Sequence, residues 1–163
     1  MNLTNKLSII TISSITHKLI LILIGLNILV LAFLPWFITS VITIDIGNGY
    51  ESLLVNKPMY YYFLGILYVA GIIALVILND LRLLFSSCLA EDVFTQVNVN
   101  RLGRMAIMAF LISIVFFTKV LVVNSIMTMV VVFAFFMAAV FCLVLTLLFD
   151  QAVHYKEEND LTI

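Results

Sequence analysis

Four long apolar segments constrain this chain more than any other feature of its sequence. Each is about as long as the roughly 20 predominantly apolar residues that a helix needs to cross the hydrocarbon core of a bilayer. Of the 163 residues, 64% are hydrophobic and 10% are charged, whereas soluble domains average about 25% charged residues. A chain with so little polar surface requires lipid as its solvent. The sequence therefore predicts an all-α polytopic membrane protein with spans at about 19–39, 59–78, 105–123 and 126–149.

The connections and the basic residues predict how these spans are arranged. Only Asn124 and Ser125 separate the third and fourth spans, so we expect a tight antiparallel hairpin there and a second hairpin formed by the first two spans. One side of the membrane would hold Lys6, Lys18, Arg82, Arg101, Arg104 and Lys156, and the other side Lys57 and Lys119. Because cytoplasmic loops are enriched in Lys and Arg, both termini are predicted to be cytoplasmic, with residues 150–163 as a tail.

Local patterns add expectations at both ends of the first span. Pro35 is expected to end or kink its helix. Isoleucine alternates with polar residues over 42–46, ahead of Asn48-Gly49, which indicates a short β-hairpin on that side. The first 17 residues form either a short helix on the inner membrane surface or a frayed terminus.

Catalytic signatures are missing from the sequence. It contains no nucleophile-elbow, zinc-protease or phosphate-loop motif, so an enzyme is not predicted and no cofactor is implied. His17, His154 and Cys88 lie in different segments and are interpreted as interfacial side chains, not as a metal site. The net charge of −1 predicts no direct binding of nucleic acid. Within the spans, the Asn27 amide is predicted to make a polar contact between helices.

Two cytoplasmic segments carry the most distinctive residues. In the first, Thr95 is expected to cap the third helix, and Phe94 is expected to pack against its first turn. These features serve either to start a helix at the membrane surface or to build a docking surface. The candidate partner-binding residues of this segment are Phe94, Thr95, Asn98, Arg101, Leu102 and Arg104.

The second segment is the tail, where the fourth helix is expected to continue to about Glu158. The tail is either solvated or bound by a partner or by the inner loop. Its candidate partner-binding residues are Glu157, Glu158, Asn159, Asp160 and Leu161. Arg101 and Arg104 are candidate ion-pair partners for Glu157, Glu158 or Asp160.

Both segments resemble signatures of a bacterial four-helix membrane family that is known only as a domain of unknown function. The similar stretches are Phe94-Thr95, Asn98-Val99, Arg101-Leu102 and the end of the chain from Glu157 to Ile163, whereas Gly103 stands where family members often have a basic residue. Genes of this family often lie beside a small Cro/CI-type helix-turn-helix regulator. The resemblance implies a protein of the bacterial cytoplasmic membrane and a partner that binds DNA.

Three functions follow as hypotheses. The first is a membrane-embedded regulatory protein that binds or sequesters a small cytosolic helix-turn-helix regulator. The second is an immunity protein against a membrane-active peptide, for which the outer loop 45–57 would matter most. The third is a small transporter or channel subunit, which would require a homo-oligomer to build a path. The lack of charge in the middle of the spans argues against this third hypothesis.

Overall fold

The chain folds into four long helices. The computed structural model describes residues 3–45, 57–90, 93–123 and 125–160. The helices are α1 (Leu3–Asp45), α2 (Lys57–Leu89), α3 (Gln96–Val122) and α4 (Ile126–Asp160). Each contains a segment long and apolar enough to cross a bilayer: Ser14–Thr39, Tyr60–Cys88, Gln96–Val122 and Ile126–Asn159. The predicted all-α fold with four membrane helices is confirmed, and the described residues contain no strand.

Helix α1 is longer and more regular than its sequence suggests. It runs without interruption over 43 residues and has Pro35 in its interior. Of the two outcomes predicted for Pro35, an end of the helix is therefore wrong, and a kink stays a prediction. The predicted strand is also wrong for residues 42–45, which are helical, while 46–56 lie outside the described residues. A helix satisfies its own backbone hydrogen bonds, and in lipid this requirement overrides the β preference of isoleucine.

The N-terminal residues belong to the same helix. The first 17 residues were expected to form either a separate surface helix or a frayed end. Neither is found from Leu3 onward, because α1 is continuous from that residue. Downstream of Pro35, the Thr39 hydroxyl donates to the Pro35 carbonyl at 3.1 Å and to the Trp36 carbonyl at 2.8 Å. These bonds place an additional donor on the turn that follows the proline.

Consecutive helices pack against each other, and α3 occupies the middle of the bundle. It contacts α2 on one side and, more extensively, α4 on the other. The α3–α4 contacts run antiparallel: Gln96 meets Asp150 at one end, and the Ser113 hydroxyl donates to the Val132 carbonyl at 3.0 Å further along. The buried residues of α3 recur at helical spacing and include Val99, Leu102, Met105, Ala106, Ala109 and Ile112. This stripe forms the core.

Helix α1 approaches α2 closely at one point. A Cβ atom added to Gly71 would lie 3.1 Å from Leu31 Cγ and closer still to Leu31 Cδ2. Ordinary van der Waals contact between carbon atoms begins near 3.5 Å. The absence of a side chain at Gly71 is therefore what lets Leu31 fill this position between the two helices.

Large apolar side chains cover the outside of the bundle. Ile22 and Phe33 on α1 and Met127 and Phe141 on α4 are each more than half exposed. Soluble monomers rarely expose contiguous apolar surface on this scale. The exposed surface and the length of the helices together define a multi-pass membrane protein.

A candidate docking site at the inner end of the bundle

The end of the bundle that holds Asp80, Gln96 and Asp150 is called the inner end, since it is the end predicted to face the cytoplasm. Thr95 starts α3 there. Its backbone is extended (φ −133, ψ 149) and its hydroxyl accepts a hydrogen bond from the Asn98 N–H at 3.4 Å. This bond satisfies one of the unpaired donors of the first helical turn. The predicted cap is confirmed.

The Asn98 side chain joins the segment between α2 and α3 to both of these helices. Its side chain is completely buried, with 0% exposure. The Nδ2 group donates to the Val93 carbonyl at 2.8 Å, and Oδ1 accepts from Ser87 Oγ at 3.2 Å and from Arg101 at 2.9 Å. A buried amide that uses both of its ends in this way holds the connection in one conformation.

Arg101 binds the last turns of α2. Its Nη1 donates to Asn98 Oδ1 and also reaches Ser87 Oγ at 3.3 Å and the Leu83 carbonyl at 3.4 Å. The guanidinium therefore joins α3 to α2 near the inner end of both helices.

Arg104 forms an ion pair with Asp80 across the α2–α3 interface. Its Nε donates to Asp80 Oδ2 at 2.6 Å, and its Nη2 donates to Asp80 Oδ1. The Asp80 side chain is 1% exposed, whereas that of Arg104 is 52% exposed. A buried carboxylate is stable when a two-pronged guanidinium contact of this kind compensates its desolvation.

The predicted ion pairs between these arginines and the tail are wrong. Gln96 and Asp150 lie at the same level, because the Gln96 amide donates to Asp150 at 3.4 Å. Glu157 lies roughly 10 Å beyond that level along α4, and Arg101 lies roughly 8 Å in the opposite direction along α3, at 1.5 Å per residue. A side chain does not bridge this separation, and both arginines bind α2 instead.

The candidate partner-binding residues differ in exposure, and Thr95 and Arg101 are half-buried. Asn98 and Leu102 are buried, with exposures of 0% and 2%, so they support the fold and offer no docking surface. Phe94 is exposed, and its ring packs 5.4 Å from that of Phe149 on α4. The remaining exposed candidates are Arg104, Glu157, Glu158 and Asn159, while Leu161 lies outside the described residues.

Helix α4 projects beyond the inner ends of α2 and α3. It continues as helix for ten residues after Asp150, to Asp160, which corresponds to roughly 15 Å. The prediction that this helix passes Asp150 and reaches about Glu158 is confirmed. Val153 is buried, but Tyr155 is 72% exposed. The exposed residues of the projection are Gln151, His154, Tyr155, Lys156, Glu157, Glu158 and Asn159.

Asp80 and Ser87 were missed as members of this site by reasoning from the sequence. A signal for Asp80 exists: Asp80 and Arg104 both lie twelve residues from position 92, so an antiparallel pair of helices joined there brings them to the same depth. Ser87 has no such charge, and its role depends on the rotation of α2 about its axis.

Asn27 lies away from this end, in the middle of α1. It borders a cleft of about 250 Å³ that is lined by residues of all four helices, among them Leu31, Gly71, Ile112 and Phe135. The Asn27 Oδ1 atom is buried and accepts no hydrogen bond from any described residue. The predicted polar contact between helices is therefore not made by this atom.

The fold and this site define a class, that of small four-helix membrane proteins with a polar network at one end of the bundle. The chain belongs to the family described as "Protein of unknown function (DUF2975)", whose sequence profile matches residues 46–163. This match confirms the expected membership of an uncharacterised four-helix family. Neither the curated proteins nor the solved structures contain a match to the chain. In the part of the chain that the structure describes, no group of three His, Cys, Asp or Glu residues could hold a metal ion.

Proposed function

We propose that this protein is a docking protein of the bacterial cytoplasmic membrane that binds a small cytosolic helix-turn-helix regulator. The observation that carries this proposal is the projection of α4 beyond the inner ends of α2 and α3. From His154 to Asn159 every residue of this regular helix is exposed, so it presents side chains at fixed spacing to a soluble partner. A helix that only spanned the bilayer would need no such extension.

The charge of the projection fits a partner that binds DNA. From 151 to 160 the chain has Glu157, Glu158 and Asp160 against Lys156, so three acids and one base give a net charge of −2 with histidine neutral. Proteins that bind DNA carry clustered basic residues for the phosphate backbone. An acidic helix is complementary to such a surface and competes with DNA for it.

Contacts with α3 fix the start of the projection, and an exposed tyrosine lies in its middle. The ring pair of Phe94 and Phe149 and the hydrogen bond from Gln96 to Asp150 join α4 to the start of α3 at the point where the projection begins. Tyr155 then stands exposed in its middle. Tyrosine is enriched among residues that dominate binding energy at protein interfaces. The class of partner comes from the gene order that the family resemblance implies.

The test uses the full-length protein in nanodiscs and a purified Cro/CI-type helix-turn-helix protein as the proposed partner. Glu157→Gln with Glu158→Gln removes two charges without changing side-chain length, and we expect the affinity to fall about five- to tenfold. Tyr155→Ala is expected to lower it further. The matched control, Glu157→Asp with Glu158→Asp, retains both charges and is expected to retain most of the binding.

Binding measured by biolayer interferometry distinguishes the hypotheses. The proposal fails if wild-type protein does not bind the regulator, or if the Gln and Asp double variants bind equally well. The hypotheses of peptide immunity and of transport predict that these substitutions at the inner end leave the function of the protein unchanged.

A further inference from the structure

Arg82 on α2 has a guanidinium group that no contact within the described residues explains. The side chain is half-buried, and its Nε is buried without a hydrogen-bond partner among those residues. Arg101 and Arg104, the two arginines of α3, both have defined partners on α2. Arg82 therefore differs from both.

An unpaired, partly buried cation requires a compensating anion. Transfer of an ionised group out of water is among the most unfavourable changes a side chain can undergo, unless the group is paired. Over residues 3–45 and 57–89, the acidic residues are Asp45 and Asp80. Asp80 is bound to Arg104, and Asp45 ends α1 at the other end of the bundle. Neither carboxylate is available to Arg82 from α1 or α2.

The position of Arg82 along α2 matches the depth of lipid phosphates. Tyr60, Tyr61 and Tyr62 begin the apolar part of this helix, and tyrosine marks the interface between hydrocarbon and water. Arg82 follows Tyr62 by twenty residues, which is roughly 30 Å of helix. The hydrocarbon core of a bilayer has the same thickness, about 30 Å. If the tyrosines lie at one interface, Arg82 lies at the other, where phosphates are found.

A second cation lies near this level on α1. The contact of Gly71 with Leu31 sets the register of the two helices. Arg82 is eleven residues beyond Gly71, and the same distance back along α1 from Leu31 reaches Ile20. Lys18 is two residues further toward the inner end and is exposed. Lys18 lies thirteen residues before Leu31, which at 3.6 residues per turn is about 140° around α1 from the side that meets α2, so Arg82 and Lys18 share a depth but not a face.

We propose that Arg82 binds the phosphate of an anionic phospholipid headgroup of the phosphatidylglycerol class. The guanidinium supplies forked donors that match phosphate oxygens. Basic pockets between membrane helices at the headgroup level bind anionic lipids in this way. The lipid supplies the anion that neither α1 nor α2 supplies, and its acyl chains lie against the apolar outside of these two helices.

The experiment measures which lipid the purified full-length protein retains. Detergent-solubilised protein is mixed with equal amounts of phosphatidylglycerol and phosphatidylcholine, and native mass spectrometry gives the ratio of the two in bound form. We expect wild type to favour phosphatidylglycerol and Arg82→Gln to lose about fivefold of that ratio, which corresponds to about 1 kcal/mol. Arg82→Lys, which keeps the charge but not the fork, is expected to cause a partial loss, and Lys18→Gln, at the same depth on another side of α1, little or none.

Lys156→Gln is the matched control, because it removes the same charge from the projection of α4. An equal ratio in Arg82→Gln and wild type overturns the proposal, as does an equal loss in Lys156→Gln, which would indicate a general effect of net charge. Inorganic phosphate is added in a separate series. If it displaces phosphatidylglycerol at equal concentration, the site binds free anions and the lipid proposal is wrong. Circular dichroism of each variant establishes that it is folded.

Discussion

Gly71 provides the sharpest test of how α1 packs on α2. Substitution of Gly71 by Ala places a methyl group against the Leu31 side chain, at 3.1 Å from Cγ and closer to Cδ2. Gly65 lies on the same helix, less than two turns earlier, and an added Cβ there meets nothing within 4 Å. The two substitutions are chemically identical, so they differ only in what the new methyl group contacts.

The expected difference follows from two opposing terms. Replacing a helical glycine by alanine stabilises the helix by about 0.5–1 kcal/mol. Overpacking of a filled interface destabilises by about 1–3 kcal/mol. The helix term is common to both variants and cancels in the comparison. Gly65→Ala is therefore expected to be more stable than wild type, and Gly71→Ala less stable than Gly65→Ala by about 1–3 kcal/mol.

Unfolding in mixed micelles of dodecyl maltoside and sodium dodecyl sulfate, followed by far-ultraviolet circular dichroism, measures this difference. Leu31→Ala combined with Gly71→Ala is expected to recover part of the loss that Gly71→Ala causes alone, because the truncated side chain makes room for the new methyl group. Equal unfolding midpoints for Gly65→Ala and Gly71→Ala would show that α1 does not approach α2 at Gly71, and would refute this reasoning.

Three further predictions concern polar groups, each measured by the same unfolding assay. Asn27→Leu is expected to stabilise the protein by about 1–3 kcal/mol, since Oδ1 is buried without a donor; destabilisation would reveal a partner for this amide. Arg104→Gln is expected to destabilise more than Asp80→Asn, because it leaves the buried carboxylate unpaired; the reverse order would contradict the burial of Asp80. Thr95→Ala is expected to destabilise by about 1 kcal/mol through loss of the cap, and Thr95→Ser to retain it.

The sequence by itself determined the features of this protein that depend on neighbouring residues. Long apolar runs specify membrane helices, because in lipid the backbone must satisfy its own hydrogen bonds within each segment. The cap at Thr95 and the extension of α4 past Asp150 also depend on local residues, and both were predictable. The expected end of the helix at Pro35 and the isoleucines near 42–46 were misleading for the same reason, since these local preferences are weaker than the requirement that lipid imposes.

The tertiary structure decided which polar side chains meet. The tail acids were plausible partners for Arg101 and Arg104 by charge alone, but these groups lie at different depths along the bundle. The partner of Arg104 is Asp80 because packing brings α2 and α3 to the same level there. Whether Asn98 faces the core or a soluble partner depends on the rotation of α3, and so does the environment of Leu102. Depth and rotation arise from contacts between residues far apart in the chain, which a single sequence does not record.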